Sequence, residues 1–97
     1  MKKYGLDFSK EFISSYKKLL RKNKLLRPRF KKALGNLSEN PFYKGLRTHR
    51  VKTRKYGERY SSRVTGDLRI IWDFYKGRLV IIVIAIGGHE GKRSVYK

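Results

Sequence analysis

Hydrophobic spacing changes period along the chain, and the changes mark out its elements. Tyr4, Leu6 and Phe8 alternate with Lys3, Gly5 and Asp7, so Lys3–Phe8 reads as a short strand. The period then lengthens. Phe12, Ile13, Tyr16, Leu19 and Leu20 recur at helical spacing, with Lys10, Lys17, Lys18 and Arg21 on the other side. This predicts an amphipathic helix with a basic outer face. Ser9 is placed to cap it, and Glu11 suits the positive end of the helix dipole. Asn23-Lys24 ends it. A second helix is predicted over about Arg27 to Ser38, with Pro28 in its first turn and Phe30, Ala33, Leu34 and Leu37 as its inner stripe. Asn40-Pro41 stops it, and so short a link predicts an antiparallel helical hairpin.

Beyond Pro41 the pattern turns to strands. Tyr43–Gly57 is basic and irregular, with a short strand around His49–Lys52. Tyr60–Val64 reads as a strand, Thr65-Gly66-Asp67 as a turn, and Leu68–Tyr75 as a strand rich in isoleucine and aromatics. Lys76-Gly77 fits a two-residue hairpin loop with glycine where positive φ is most needed. Leu79–Ile86 is apolar on both faces, which predicts the central strand. The expected architecture is α+β: an N-terminal strand and helical hairpin packed on a mostly antiparallel β-sheet. With 97 residues, 1–97 form a single domain with one modest core.

Charge changes this picture from a fold to a binding surface. Lys and Arg number 26 against 7 Asp plus Glu, a formal net charge of +19. The excess runs through Lys17–Lys32, Lys44–Arg63 and Lys92–Lys97, so the folded surface itself is positive. Such a surface calls for a polyanion, either nucleic acid or an acidic protein partner. The absence of cysteine rules out disulfides and thiolate metal sites. Two histidines and few carboxylates leave little for a metal, so no metal or other cofactor is expected. No leader-like apolar stretch follows Met1-Lys2-Lys3-Tyr4, and Leu79–Ile86 is too short to span a bilayer as a helix. The expected location is the cytoplasm, with no membrane partner.

Candidate chemistry gathers in the second half. On Leu68–Tyr75, Ile70, Trp72 and Phe74 share one face while Arg69, Ile71 and Asp73 share the other. The first set reads as core. Arg63 precedes the turn and Arg69 follows it, so an antiparallel hairpin brings them to the same end, on the same side if register holds. His89 follows Gly87-Gly88 at the end of the next strand, and Asp67 sits in the turn between. Cutting RNA without a metal needs a base for the 2′-OH, an acid for the 5′ oxygen and cations for the phosphate. Histidine titrates near neutrality, and arginine presents a planar fork that fits a phosphate. Each residue has a plainer reading too. His89 could be an ordinary loop histidine, and His49 a merely RNA-facing one. Arg63 could be one more solvated charge. Asp73 could neutralise Arg69, and Asp67 could only bond its own backbone.

Three segments in order add a resemblance. They are Leu46-Arg47-Thr48-His49-Arg50-Val51, then Tyr60–Trp72 with its Arg63-Val64-Thr65-Gly66-Asp67-Leu68-Arg69 centre, then Ile84–His89 with Val95-Tyr96. Together they resemble the RelE/ParE superfamily of type II toxins, most closely its RelE and YafQ mRNA-interferase branch. The likeness covers nearly the whole chain. It implies a RelE-like fold and a ribosome-dependent, metal-independent endoribonuclease that cuts mRNA in the ribosomal A site. Ribosomal RNA and a cognate acidic antitoxin are the implied further partners. By position, His49, Asp67 and His89 match histidine, aspartate and histidine of the YafQ type. Arg69 matches the strand arginine of RelE-like toxins, Arg63 takes the place of a His or Lys, and Tyr96 matches a near-terminal tyrosine, placed to stack on a base or to cover the sheet edge. Ser61 and Ser62 stand where RelE has a lysine and an apolar residue. The spacing from His89 to Tyr96 is longer than usual in the family. Arg47, Arg50, Lys52, Arg54, Lys55, Lys92 and Arg93 are the expected RNA-binding cations. Two other classes share these features: a ParE-like inhibitor of DNA gyrase and a non-catalytic RNA-binding module.

Overall fold

A computed structural model describes residues 3–76 and 80–88. Strand β1 (Gly5–Phe8) leads into helices α1 (Lys10–Lys22) and α2 (Leu26–Glu39). A single 3-10 turn at Lys44–Leu46 precedes four strands: β2 (His49–Thr53), β3 (Gly57–Arg63), β4 (Leu68–Phe74) and β5 (Val80–Gly88). They form one five-stranded sheet in the order β1-β5-β4-β3-β2. Neighbours are antiparallel except β1 and β5, which run parallel. The expected α+β architecture is therefore present, and the strand around His49 is its outer edge.

One placement differs from expectation. Leu79–Ile86 was expected to be central, but β4 holds that position and β5 lies between β4 and β1. Parallel pairing with β1 makes β5 an interior strand, so it is apolar on both faces without being in the middle. A bulge opposite Ile71/Trp72 inserts Ile84 into the β5 ladder. Ile81 and Val83 then face the core on one side of it and Ile86 on the other.

The helices cover one face of this sheet. Phe12, Phe30, Ala33 and Leu37 pack with Leu68, Ile70, Trp72, Ile81 and Val83. Phe12 and Tyr16 stack on one another, and both meet the edge of Phe30. Ile13 and Leu20, expected on the inner stripe, divide from it: Ile13 is 40% exposed and Leu20 half-buried, because the stripe that meets the sheet is Phe12–Tyr16–Leu19. Two serines fix the helices to the sheet. Ser9 caps α1 by accepting from Phe12 N at 2.9 Å, while its hydroxyl donates to the Ile84 carbonyl in the bulge. Ser38 is buried, and its hydroxyl donates to the Tyr4 carbonyl.

Candidate active site

Register decides which charged side chains share a face. Arg63 pairs directly with Arg69 across β3–β4, so both point to the same side of the sheet. Leu68, Ile70 and Trp72 belong to the helix-covered core, so Arg63 and Arg69 lie on the opposite face. The next row on that face runs His49, Ser61, Ile71, Ala85 from the β2 edge to β5. Ser61, Ile71 and Ala85 are buried there and His49 is exposed. One row further, Arg59 lies on the same face as Asp73. The second face is thus an apolar row with an arginine pair at one end, an ion pair at the other and a histidine at its edge.

Several polar groups on this face are held by a specific partner. Arg69 is half-buried, and its Nη1 donates to the Thr65 carbonyl at 2.8 Å. That bond fixes the guanidinium plane, and a guanidinium has further N–H donors for an anion. The alternative in which Asp73 neutralises Arg69 does not occur. Asp73 accepts instead from Arg59 Nη1 at 2.9 Å. The turn between the two arginines is held by Thr65, whose hydroxyl accepts from Asp67 N at 3.2 Å and Leu68 N at 3.0 Å. Asp67 is exposed and contributes its backbone, not its carboxylate, to these bonds.

His49 has its tautomer set by a neighbour. Its Nδ1 lies 2.9 Å from the Arg47 carbonyl. A carbonyl oxygen can only accept, so Nδ1 carries the proton and the neutral ring presents Nε2 as an acceptor. Arg47 aims that carbonyl from a left-handed conformation, φ 50°, which is uncommon for a residue other than glycine. Two strand spacings, roughly 10 Å, separate the β2 edge from β4, and His49 lies one row along the face from Arg69.

A buried chain of hydrogen bonds anchors the segment that bears His49. Trp72 Nε1 can only donate, and it does so to Ser62 Oγ at 2.7 Å. Thr48 Oγ1 donates to the Pro41 carbonyl at 2.6 Å. The 2.6 Å bond between the two hydroxyls must therefore run from Ser62 to Thr48. Every proton in the sequence Trp72, Ser62, Thr48, Pro41 has one direction. Sequence reasoning missed Thr48 and Thr65, and it noted Ser62 only as a departure from the RelE pattern. The signal was a serine on the face that bears Tyr60 and Trp72's strand partners.

The expected RNA-binding cations are distributed more widely. Arg50 lies over the Tyr60 ring at 5.0 Å, on the helix side of the sheet. Its pKa is raised above the ordinary value, chiefly by a side-chain hydrogen bond with Tyr60. Lys52 is exposed on β2, Arg47 is exposed just before it, and Arg54 is exposed in the β2–β3 turn. Lys55, in the same turn, donates to Glu11 of α1 at 2.8 Å. His89, Lys92, Arg93 and Tyr96 lie outside the described residues. So does Gly77, while Lys76 itself adopts positive φ, 50°. The described part of β5 ends at Gly88, paired with Leu68 beside the Thr65–Asp67 turn.

Chains of known structure share this fold. The archaeal RelE–RelB complex from Pyrococcus horikoshii matches with a TM-score of 0.71 at 18% identity, over 95% of this chain and 99% of that one. The YoeB/ParE toxin from Agrobacterium tumefaciens matches at 0.72 with 16% identity, over 89% and 99%. The intact Escherichia coli RelBE toxin–antitoxin complex matches at 0.57 with 22% identity, over 91% and 99%. No protein-family model and no curated protein matches the sequence. The fold is the one that these RelE, YoeB/ParE and RelBE structures share.

Proposed function

We propose that the chain is the toxin of a type II toxin–antitoxin system and acts as a metal-independent endoribonuclease on mRNA in the ribosomal A site. One observation carries the reading. Arg63 and Arg69 stand directly opposite one another on the sheet face away from the helices, with an oriented histidine at the edge of that face. The shared fold supports it, since similar chains were solved in toxin–antitoxin complexes.

In this reading the arginines hold the scissile phosphate and stabilise the charge that builds on its oxygens. His49, with Nε2 as acceptor, takes the 2′-OH proton. The 2′ oxygen attacks phosphorus, the bond to the 5′ oxygen breaks, and that oxygen takes a proton as it leaves. The strands become a 2′,3′-cyclic phosphate end and a 5′-OH end. His89 is assigned the proton donated to the leaving oxygen, on its place after Gly87-Gly88 alone. Tyr96 is assigned to stacking, and Asp67 to the turn that flanks the arginines. An acidic antitoxin and ribosomal RNA are the partners that the charge of +19 suits.

The test is brief induction with mapping of mRNA 5′ ends, for wild type and for Arg69→Ala, His49→Ala and His89→Ala. Loss of one positioned donor such as Arg69 is expected to slow cleavage by roughly 10²-fold or more. Variants that cut ribosome-bound mRNA as fast as wild type would sink the site assignment. Arrest of DNA supercoiling with mRNA intact would instead mark a gyrase inhibitor, since the fold is shared with a toxin described as YoeB/ParE.

A further inference from the structure

A second concavity opens on the α2 side of the β3–β4 turn. Arg29, Lys32 and Asn36 of α2 line it together with Tyr43 and Arg63. Arg29, Lys32 and Asn36 are spaced three and four apart, so they share one helix face. Both cations are exposed, and no acidic side chain among the described residues lines the groove. Its volume of about 440 Å³ falls in the range of small-ligand clefts, roughly 300–1,000 Å³.

Tyr43 makes this more than a charged crease. The residue is 48% exposed and lines the same groove as the two cations. The ring lies against Gly45, where a Cβ would come within 2.6 Å of a ring carbon. Glycine at 45 therefore keeps the space in which the ring sits. An exposed aromatic face beside Arg and Lys is the pairing that binds unpaired nucleotides: the ring stacks on a base and the cations hold phosphate. Arg63, which pairs with Arg69 at the turn end of β3, is also among the residues that line the groove.

We infer that the groove binds one unpaired nucleotide of the RNA strand beside the scissile phosphate, with Tyr43 stacked on its base and Arg29 and Lys32 on its phosphate. The inference rests on the endoribonuclease reading and adds a subsite to it. Stacking tolerates any base, so the subsite adds affinity and alignment without demanding one sequence.

The probe is a fluorescent 2′-O-methyl pentaribonucleotide, which lacks the attacking hydroxyl and cannot be cut. Its affinity is measured by anisotropy over a salt series. Tyr43→Ala is expected to weaken binding about 5- to 150-fold, and Tyr43→Phe to restore it. Gly45→Ala, which displaces the ring without changing charge, is expected to weaken binding in the same direction. Replacing Arg29 and Lys32 by Gln is expected to reduce the slope of log K against log salt by about 1.4, or 0.7 per lost phosphate contact. Binding by Tyr43→Ala within twofold of wild type, or loss in Tyr43→Phe equal to that in Tyr43→Ala, overturns the inference. So does a result in which Tyr43→Ala weakens capture of an acidic peptide but not of RNA, for the groove is then a protein contact. Ribosomal cleavage by wild type, run alongside, separates the two levels. Cleavage with an indifferent Tyr43 removes only the groove, whereas a wild type that cuts no RNA removes both.

Discussion

Single residues on the second sheet face owe their state to one neighbour each. Among the described residues, Arg69 keeps donors for an anion because Asp73 is engaged by Arg59 and because Thr65 takes only one of its N–H groups. His49 presents Nε2 because Arg47 occupies Nδ1. Ser62 matters in the same way, at a distance from the chemistry. Ser62→Ala leaves the buried Trp72 N–H without its acceptor and Thr48 without its donor. A loss of about 1–3 kcal/mol in unfolding free energy is expected, read as a lowered urea midpoint at unchanged m-value. A midpoint equal to wild type would mean that the hydrogen-bond chain is not formed. Ser62 was visible in sequence as an oddity, but its partners were not, because Thr48, Pro41 and Trp72 meet it only through the folded loop and the adjacent strand.

Elements were read more securely than residues. Both helices, the edge strand at His49 and the three later strands fall where hydrophobic period placed them, with ends moved by a few residues. What period could not supply was order in the sheet. A strand apolar on both faces is interior, but nothing local says which interior position it takes. The parallel β1–β5 pairing decides that, and Ser9 helps hold it by joining the start of α1 to the β5 bulge. Ser9→Ala removes the cap and the bond to Ile84 together. A destabilisation of about 1–2 kcal/mol is expected from the cap, measured by thermal or urea unfolding. If Ser9→Ala unfolds like wild type, the cap contributes nothing here.

The described residues form two layers, with helices on one sheet face and the candidate site on the other. Its charge of +19 makes long-range attraction to a polyanion unavoidable at low salt. For about five phosphate contacts on single-stranded RNA, affinity should fall roughly 10²-fold between 50 and 200 mM salt. Filter binding across that range checks it, and a flat profile would point to a protein partner instead. The local pattern alone gave the helices, the strands and the basic charge, and it named Arg63, Arg69 and His89 as candidates, to which the resemblance added His49. It could do so because periodicity, capping and charge are properties of neighbouring residues. The tertiary structure alone decided that Arg63 faces Arg69, that Asp73 belongs to Arg59, and that Tyr43 of the loop lines one groove with Arg29 and Lys32 of α2. Those pairings join segments far apart in the chain, and only register and packing bring such segments together.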